Sequence, residues 1–233
     1  MKPTLFLKQS VIWLPKIWVV AVLLLLASTI SLIGLKNIAL YLAINKPNQG
    51  DYLVVEGWLD EQSLKQALSL FQENDYRYMI TTGGPDLRHI NPKHKTYAEQ
   101  SAYFLLSQGL DVTKLIVIPA PASAQNRTFL SAVMVRDELL SQNKRPISMD
   151  IYTQGVHARR TYTLYKMAFR DDDNIGIYAS QPDKYDLKTW WRTSEGAKSV
   201  VTEVAGLLWV KCCFNPGEYG SHEEKWGLVR KEE

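Results

Sequence analysis

The chain opens with a long apolar run and continues as alternating short apolar blocks and amphipathic stretches. Residues 17–35, IWVVAVLLLLASTISLIGL, hold 19 uncharged and mainly apolar positions. About 20 such residues cross a bilayer as a helix. From residue 51 the pattern changes. Tyr52–Glu56 is a short apolar strand, and Gln62–Asn74 carries apolar residues at Leu64, Ala67, Leu68 and Phe71, the spacing of one helix face. Tyr78–Thr82 predicts a second strand, closed by Gly83-Gly84-Pro85, and Tyr97–Gln108 a helix with Gly109 as its C-cap. Leu115–Ile118, Met149–Thr153 and Ile175–Ala179 predict three further strands, and Arg127–Leu140, Val156–Phe169 and Glu195–Lys211 three further helices. Such alternation predicts an α/β domain with a parallel sheet of about five strands and helices on both faces.

The domain organisation follows. Residues 1–36 are expected to be a cytoplasmic N-terminus and transmembrane anchor, 37–50 a linker, 51–214 the α/β domain, and 215–233 a polar flexible tail. A cleaved signal peptide is the competing reading of the first segment. Its apolar core is long for that, and no clean A-x-A site follows. Lys2, Lys8 and Lys16 precede the run and Lys36 and Lys46 follow it, so the positive-inside rule places the N-terminus in the cytoplasm and the domain outside a plasma (inner) membrane.

Charge adds one correction to the formal +3. Residues 1–50 hold five lysines and no acid, leaving 22 basic against 24 acidic residues in 51–233. The domain is close to neutral, and no basic stripe recommends nucleic acid as a partner. The adjacent Cys212 and Cys213 read as two small helix residues rather than a disulfide framework or metal site.

In parallel sheets ligands bind beyond the carboxyl ends of the strands. The unusual polar and glycine residues all follow strands: Glu56 after the first, Gly83 and Gly84 after the second, Arg127 and Thr128 after the third, and Gly155, His157, Arg159 and Arg160 after the fourth. Gly-Gly lets a backbone approach a ligand, although a plain turn explains it too. Helix N-termini attract anions, and an arginine there adds a fork for phosphate or carboxylate. Arg159 and Arg160 lie about 100° apart on a helix, so one of them is expected to face the site. His157 is placed to donate to an anion or to serve as acid or base. Glu56 and Glu99 are candidate bases or metal ligands, Glu99 having a surface charge as its plainer reading. His89 and His94, with Asp86 and Arg88, fit no standard metal spacing, and neither a Walker loop, a dinucleotide fingerprint nor a G-x-S-x-G elbow is present. Asn126-Arg127-Thr128 also matches the short glycosylation sequon. Which cofactor or metal the site would use is left open by these residues.

The ordered series of Gly83-Gly84, Glu99, Arg127-Thr128 and His157, Arg159, Arg160, with the ending WWRTSEGAKSVVTEVAGLLW, resembles the YdcF/SanA/ElyC-like family of bacterial envelope domains, in particular its membrane-anchored SanA-like branch. The resemblance spans about residues 51–211. It implies a Rossmann-like fold and a role in cell-envelope barrier integrity and in peptidoglycan or surface-polysaccharide assembly, with handling of the lipid carrier as one route. It carries no established catalytic mechanism, and one soluble relative is associated with S-adenosylmethionine. VVEGWLDE departs from the Gly-rich turn common after the first strand of that family. The resulting expectation is an anchored domain that binds a phosphate-bearing lipid-linked or polysaccharide intermediate. A nucleotide or S-adenosylmethionine enzyme and a non-catalytic scaffold, acting through a surface such as the Trp190-Trp191 loop, are the alternatives.

Overall fold

The computed structural model describes residues 15–86, 93–122, 126–142 and 146–227. The chain divides into two compact units, residues 1–37 and 38–233. Helix α1 (Ile17–Leu42) contributes to both.

In the first unit, α1 is long and apolar enough to cross a membrane. Its apolar residues are exposed all round, Leu23 to Leu26 each by more than half. Its polar side chains turn back on the helix: Thr29 donates to the Leu25 carbonyl at 2.8 Å and Asn37 to the Ile33 carbonyl at 2.8 Å. That satisfies groups which would be costly in hydrocarbon.

The second unit is a five-stranded, all-parallel sheet in the order β3-β2-β1-β4-β5. The strands are β1 (Tyr52–Glu56), β2 (Tyr78–Gly83), β3 (Leu115–Pro119), β4 (Ser148–Gln154) and β5 (Asn174–Ser180). The helices between them are α2 (Glu61–Glu73), α3 (Tyr97–Ser107), α4 (Arg127–Ser141) and α5 (Ala158–Ala168); α6 (Ser194–Cys212) and the short α7 (His222–Trp226) follow β5. Chain order reverses between β1 and β4, the switch point at which such sheets open a crevice. The strands are apolar on both faces because both faces are covered. Leu53 and Val55 pack with Leu64, Leu68 and Phe71 of α2 and Leu105 of α3. Val54, one residue out of phase, packs with Phe129 and Val133 of α4 and Leu164 and Tyr165 of α5. This is the Rossmann-like arrangement expected from the alternation.

Three expectations need correction. The pattern predicts an anchor ending at residue 36 and a linker over 37–50, but α1 continues to Leu42, and Ala39 and Leu42 are buried against Val156, Val200 and Leu207. The following segment covers the β5 edge. Lys46 N–H donates to the Ile177 carbonyl at 2.9 Å and the Lys46 carbonyl accepts from the Ile177 N–H at 3.0 Å, while Asn45 Oδ1 accepts from the Ala179 N–H at 2.9 Å. An open edge strand needs such cover. The segment from Asn215, expected to be flexible, is held through Arg136. This wholly buried arginine on α4 donates to both Glu224 oxygens at 2.8 and 2.7 Å, with Tyr219 over its guanidinium at 4.2 Å. A buried guanidinium requires a carboxylate; Asp137 beside it on α4 supplies one, 2.8 Å from Nη2, and the tail supplies the buried one. Residues 228–233 of the expected tail lie outside the described residues. Finally, Cys212 and Cys213 are joined to each other by a disulfide.

Candidate functional site at the strand ends

A cavity of about 330 Å³ opens beyond the carboxyl ends of β1 and β2 and the turn after β4. Each wall has a local cause. β1 ends at Glu56, and Gly57 follows because a Cβ there would lie 2.4 Å from the Tyr97 carbonyl. β2 delivers Thr82, Gly83 and Gly84. Asn126 caps α4, accepting from the Phe129 N–H at 3.4 Å, and so points Arg127 and Thr128 at the cavity. After β4, Gly155–His157 make one 3-10 turn that leads into α5. This brings the His157 ring and, three residues on, Arg160 to the same place.

His157 is the centre of the arrangement. It is 7% exposed. Its Nδ1 lies 2.9 Å from Glu203 Oε1, and Arg160 clasps the same carboxylate, Nε to Oε2 at 2.8 Å and Nη2 to Oε1 at 3.0 Å. Arg160 Nη2 is also 3.0 Å from Nδ1. The shorter contact, to a full carboxylate, assigns the Nδ1 proton to Glu203, and Nη2 shares that oxygen. Gly206, one turn after Glu203 on α6, makes room for the guanidinium: a Cβ there would sit 3.0 Å from Arg160 Nε. Burial alone pushes the Glu203 carboxyl up, but hydrogen bonds from His157 and Arg160 outweigh it and bring the carboxyl down to about 2. Glu203 therefore stays ionised and fixes the ring, as second carboxylates fix functional histidines elsewhere.

The opposite ring nitrogen points towards Glu56, another residue of the cavity wall. His157 Nε2 is buried and has no hydrogen-bond partner among the described residues; its nearest acid is Glu56 Oε2 at 3.7 Å. Glu56 is itself 2% exposed and accepts from the hydroxyls of Thr153 and, at 3.5 Å, Thr161. Thr82 Oγ1, also on the cavity wall, is buried without a partner. Trp58 meets the His157 ring edge to face, with centroids 5.1 Å apart. Buried polar atoms without partners are few in native proteins and call for an explanation, such as an ordered water, an ion or a ligand. Asn48 Oδ1, Thr81 Oγ1, Tyr165 Oη, Trp190 Nε1 and Ser221 Oγ are others among the described residues, but none of those lines this cavity.

The remaining predicted residues fall in different places. Glu99 does not line the cavity. It completes a capping box, accepting from the Thr96 N–H at 2.9 Å while Thr96 accepts from its N–H at 3.2 Å, and those bonds, from the Thr96 backbone first, lower its pKa. The T-x-x-E signature was in the sequence. Arg159 faces away from the cavity, donating to the Tyr41 carbonyl with its guanidinium 3.7 Å from the Tyr41 ring. Gly155 shapes the turn and packs towards Pro182, outside the cavity lining. His94 stacks on Tyr103 at 4.7 Å, while Arg88 and His89 lie outside the described residues. Glu203 is the residue that sequence reading missed. Its one trace was an acid with a glycine three positions later on the same face of the helix. No protein-family model matches the chain, and no curated protein matches it either.

Proposed function

We propose that this chain is a membrane-anchored, extracytoplasmic domain that holds a phosphate-bearing envelope intermediate at the mouth of its sheet. The observation that carries the reading is the pair of buried polar atoms, His157 Nε2 and Thr82 Oγ1, that meet no partner among the described residues and belong to two residues lining a cavity beside the start of α4. Helix starts favour anions through their free N–H groups and dipole. Arg127 stands at that start, exposed and without an ion pair among the described residues. Arg160 and Glu203 neutralise each other, and Glu56 offsets Arg127, so protonation of His157 would give the cavity a net positive charge. In chemical terms His157 would serve as acid or base, with hydrolysis or transfer at phosphate as the reaction class. The apolar α1 suits a ligand that is itself held in a membrane.

Calorimetric titration of the full chain in detergent micelles with inorganic phosphate and with an isoprenyl monophosphate tests this. Binding that weakens at least tenfold in both Arg127→Ala and His157→Ala is expected. Binding that both variants retain, or no binding to wild type, would overturn it.

A further inference from the structure

A second cavity, of about 550 Å³, adjoins the first and shares Trp58, His157 and Glu203 with it as common walls. Its remaining lining has a different character. Lys184, Lys198, Asp60, Asp183 and Glu195 line it together with the hydroxyl-bearing Tyr185, Ser199 and Thr202. Three acids against two lysines leave this compartment slightly negative, apart from the neutralised Glu203. A second phosphate is therefore disfavoured there by charge. A long apolar tail is disfavoured as well, because these carboxylates and ammonium groups would lose water to it without compensation. A neutral group rich in hydroxyls fits. It both donates to carboxylates and accepts from ammonium groups, and the Trp58 ring, 39% exposed, offers the adjoining apolar face.

From this we infer that the site takes a two-part ligand: a phosphate in the first cavity and a glycosyl or similar polyhydroxy group in the second, joined beside His157. The inference rests on the anion reading above and names the substrate class of that same site. His157, Trp58 and Glu203 stand where the two parts meet. The polar headgroup, and not the hydrocarbon end, of a lipid-linked intermediate is what the site recognises.

The test uses the full chain in detergent micelles and three probes: glucose 1-phosphate, butyl phosphate and inorganic phosphate. Glucose 1-phosphate should bind at least tenfold more tightly than butyl phosphate. Lys198→Gln, and separately Tyr185→Phe, should bring those two affinities together; two variants guard against one that disturbs folding. Equal affinity of glucose 1-phosphate and butyl phosphate for wild type would overturn the inference, and binding of inorganic phosphate would then leave the anion reading standing. Failure of all three probes to bind would overturn both.

Discussion

The two neighbouring central strands carry a buried acid at opposite ends, and the two acids are treated differently. Asp150 of β4, fully buried, is saturated. It accepts from the N–H groups of Asn48 and Gln49 at 2.8 Å each, of Gly50 at 3.4 Å, and from the Tyr76 hydroxyl at 2.7 Å. Burial, with that bond to Asp150, keeps the Tyr76 phenol far above its ordinary value, so it remains a donor. At the far end of β1, Glu56 takes two threonine hydroxyls, while the His157 nitrogen facing it has no hydrogen-bond partner among the described residues. A carboxylate that ties down the chain has every donor it needs. A cluster built for a ligand leaves positions open.

The contrast can be broken most forcefully at the saturated end. Asp150→Ala orphans three backbone N–H groups and a phenol at about 1 kcal/mol each, so a loss of about 4 kcal/mol is expected in chemical denaturation. Phosphate affinity of the folded fraction should not change.

The next effect is a pH dependence. The folded Glu203 carboxyl is lowered from 4.5 to about 2. A depressed folded value means that its stabilisation is complete above the unfolded value and is lost as pH falls from about 4.5 towards 2. That loss should be of the order of 2 kcal/mol. Denaturation midpoints over that range should fall less steeply in Glu203→Gln than in wild type. Parallel curves would show that the carboxylate is not held by His157 and Arg160.

At the open end stability should scarcely respond. His157→Gln is expected to shift unfolding by about 1 kcal/mol or less, yet weaken phosphate at least tenfold. The smallest effect is assigned to Arg159→Ala. Its guanidinium lies on Tyr41 and not in the cavity, so phosphate affinity should stay within about twofold of wild type. Arg160→Ala, one residue on, should behave like a site variant. Equal effects of the two would blur the assignment.

These contrasts also show what the sequence made legible. The strands are continuous apolar runs and the helices have clear periodicity, so the five-stranded α/β order could be read directly. The strand-end loops could be read as well, because topology puts every one of them on the same edge. Partners distant in the chain could not. Glu203 reaches His157 from 46 residues away, and Glu224 reaches Arg136 from 88. Arg136 did leave a trace, since it interrupts the apolar face of α4 at the core spacing of Phe129, Ala132 and Val133. A charge at such a position calls for a buried counter-charge. Asp150 likewise sits among the apolar residues of β4. Glu99 went the other way, because its capping-box spacing already explained it.

The most direct test of the account is the ¹⁵N spectrum of the His157 ring in the full chain in micelles, assigned with His157→Gln and titrated with inorganic phosphate. The Nε2 resonance should move on addition of phosphate while Nδ1, held by Glu203, moves little. A ring whose two nitrogens ignore saturating phosphate would contradict it.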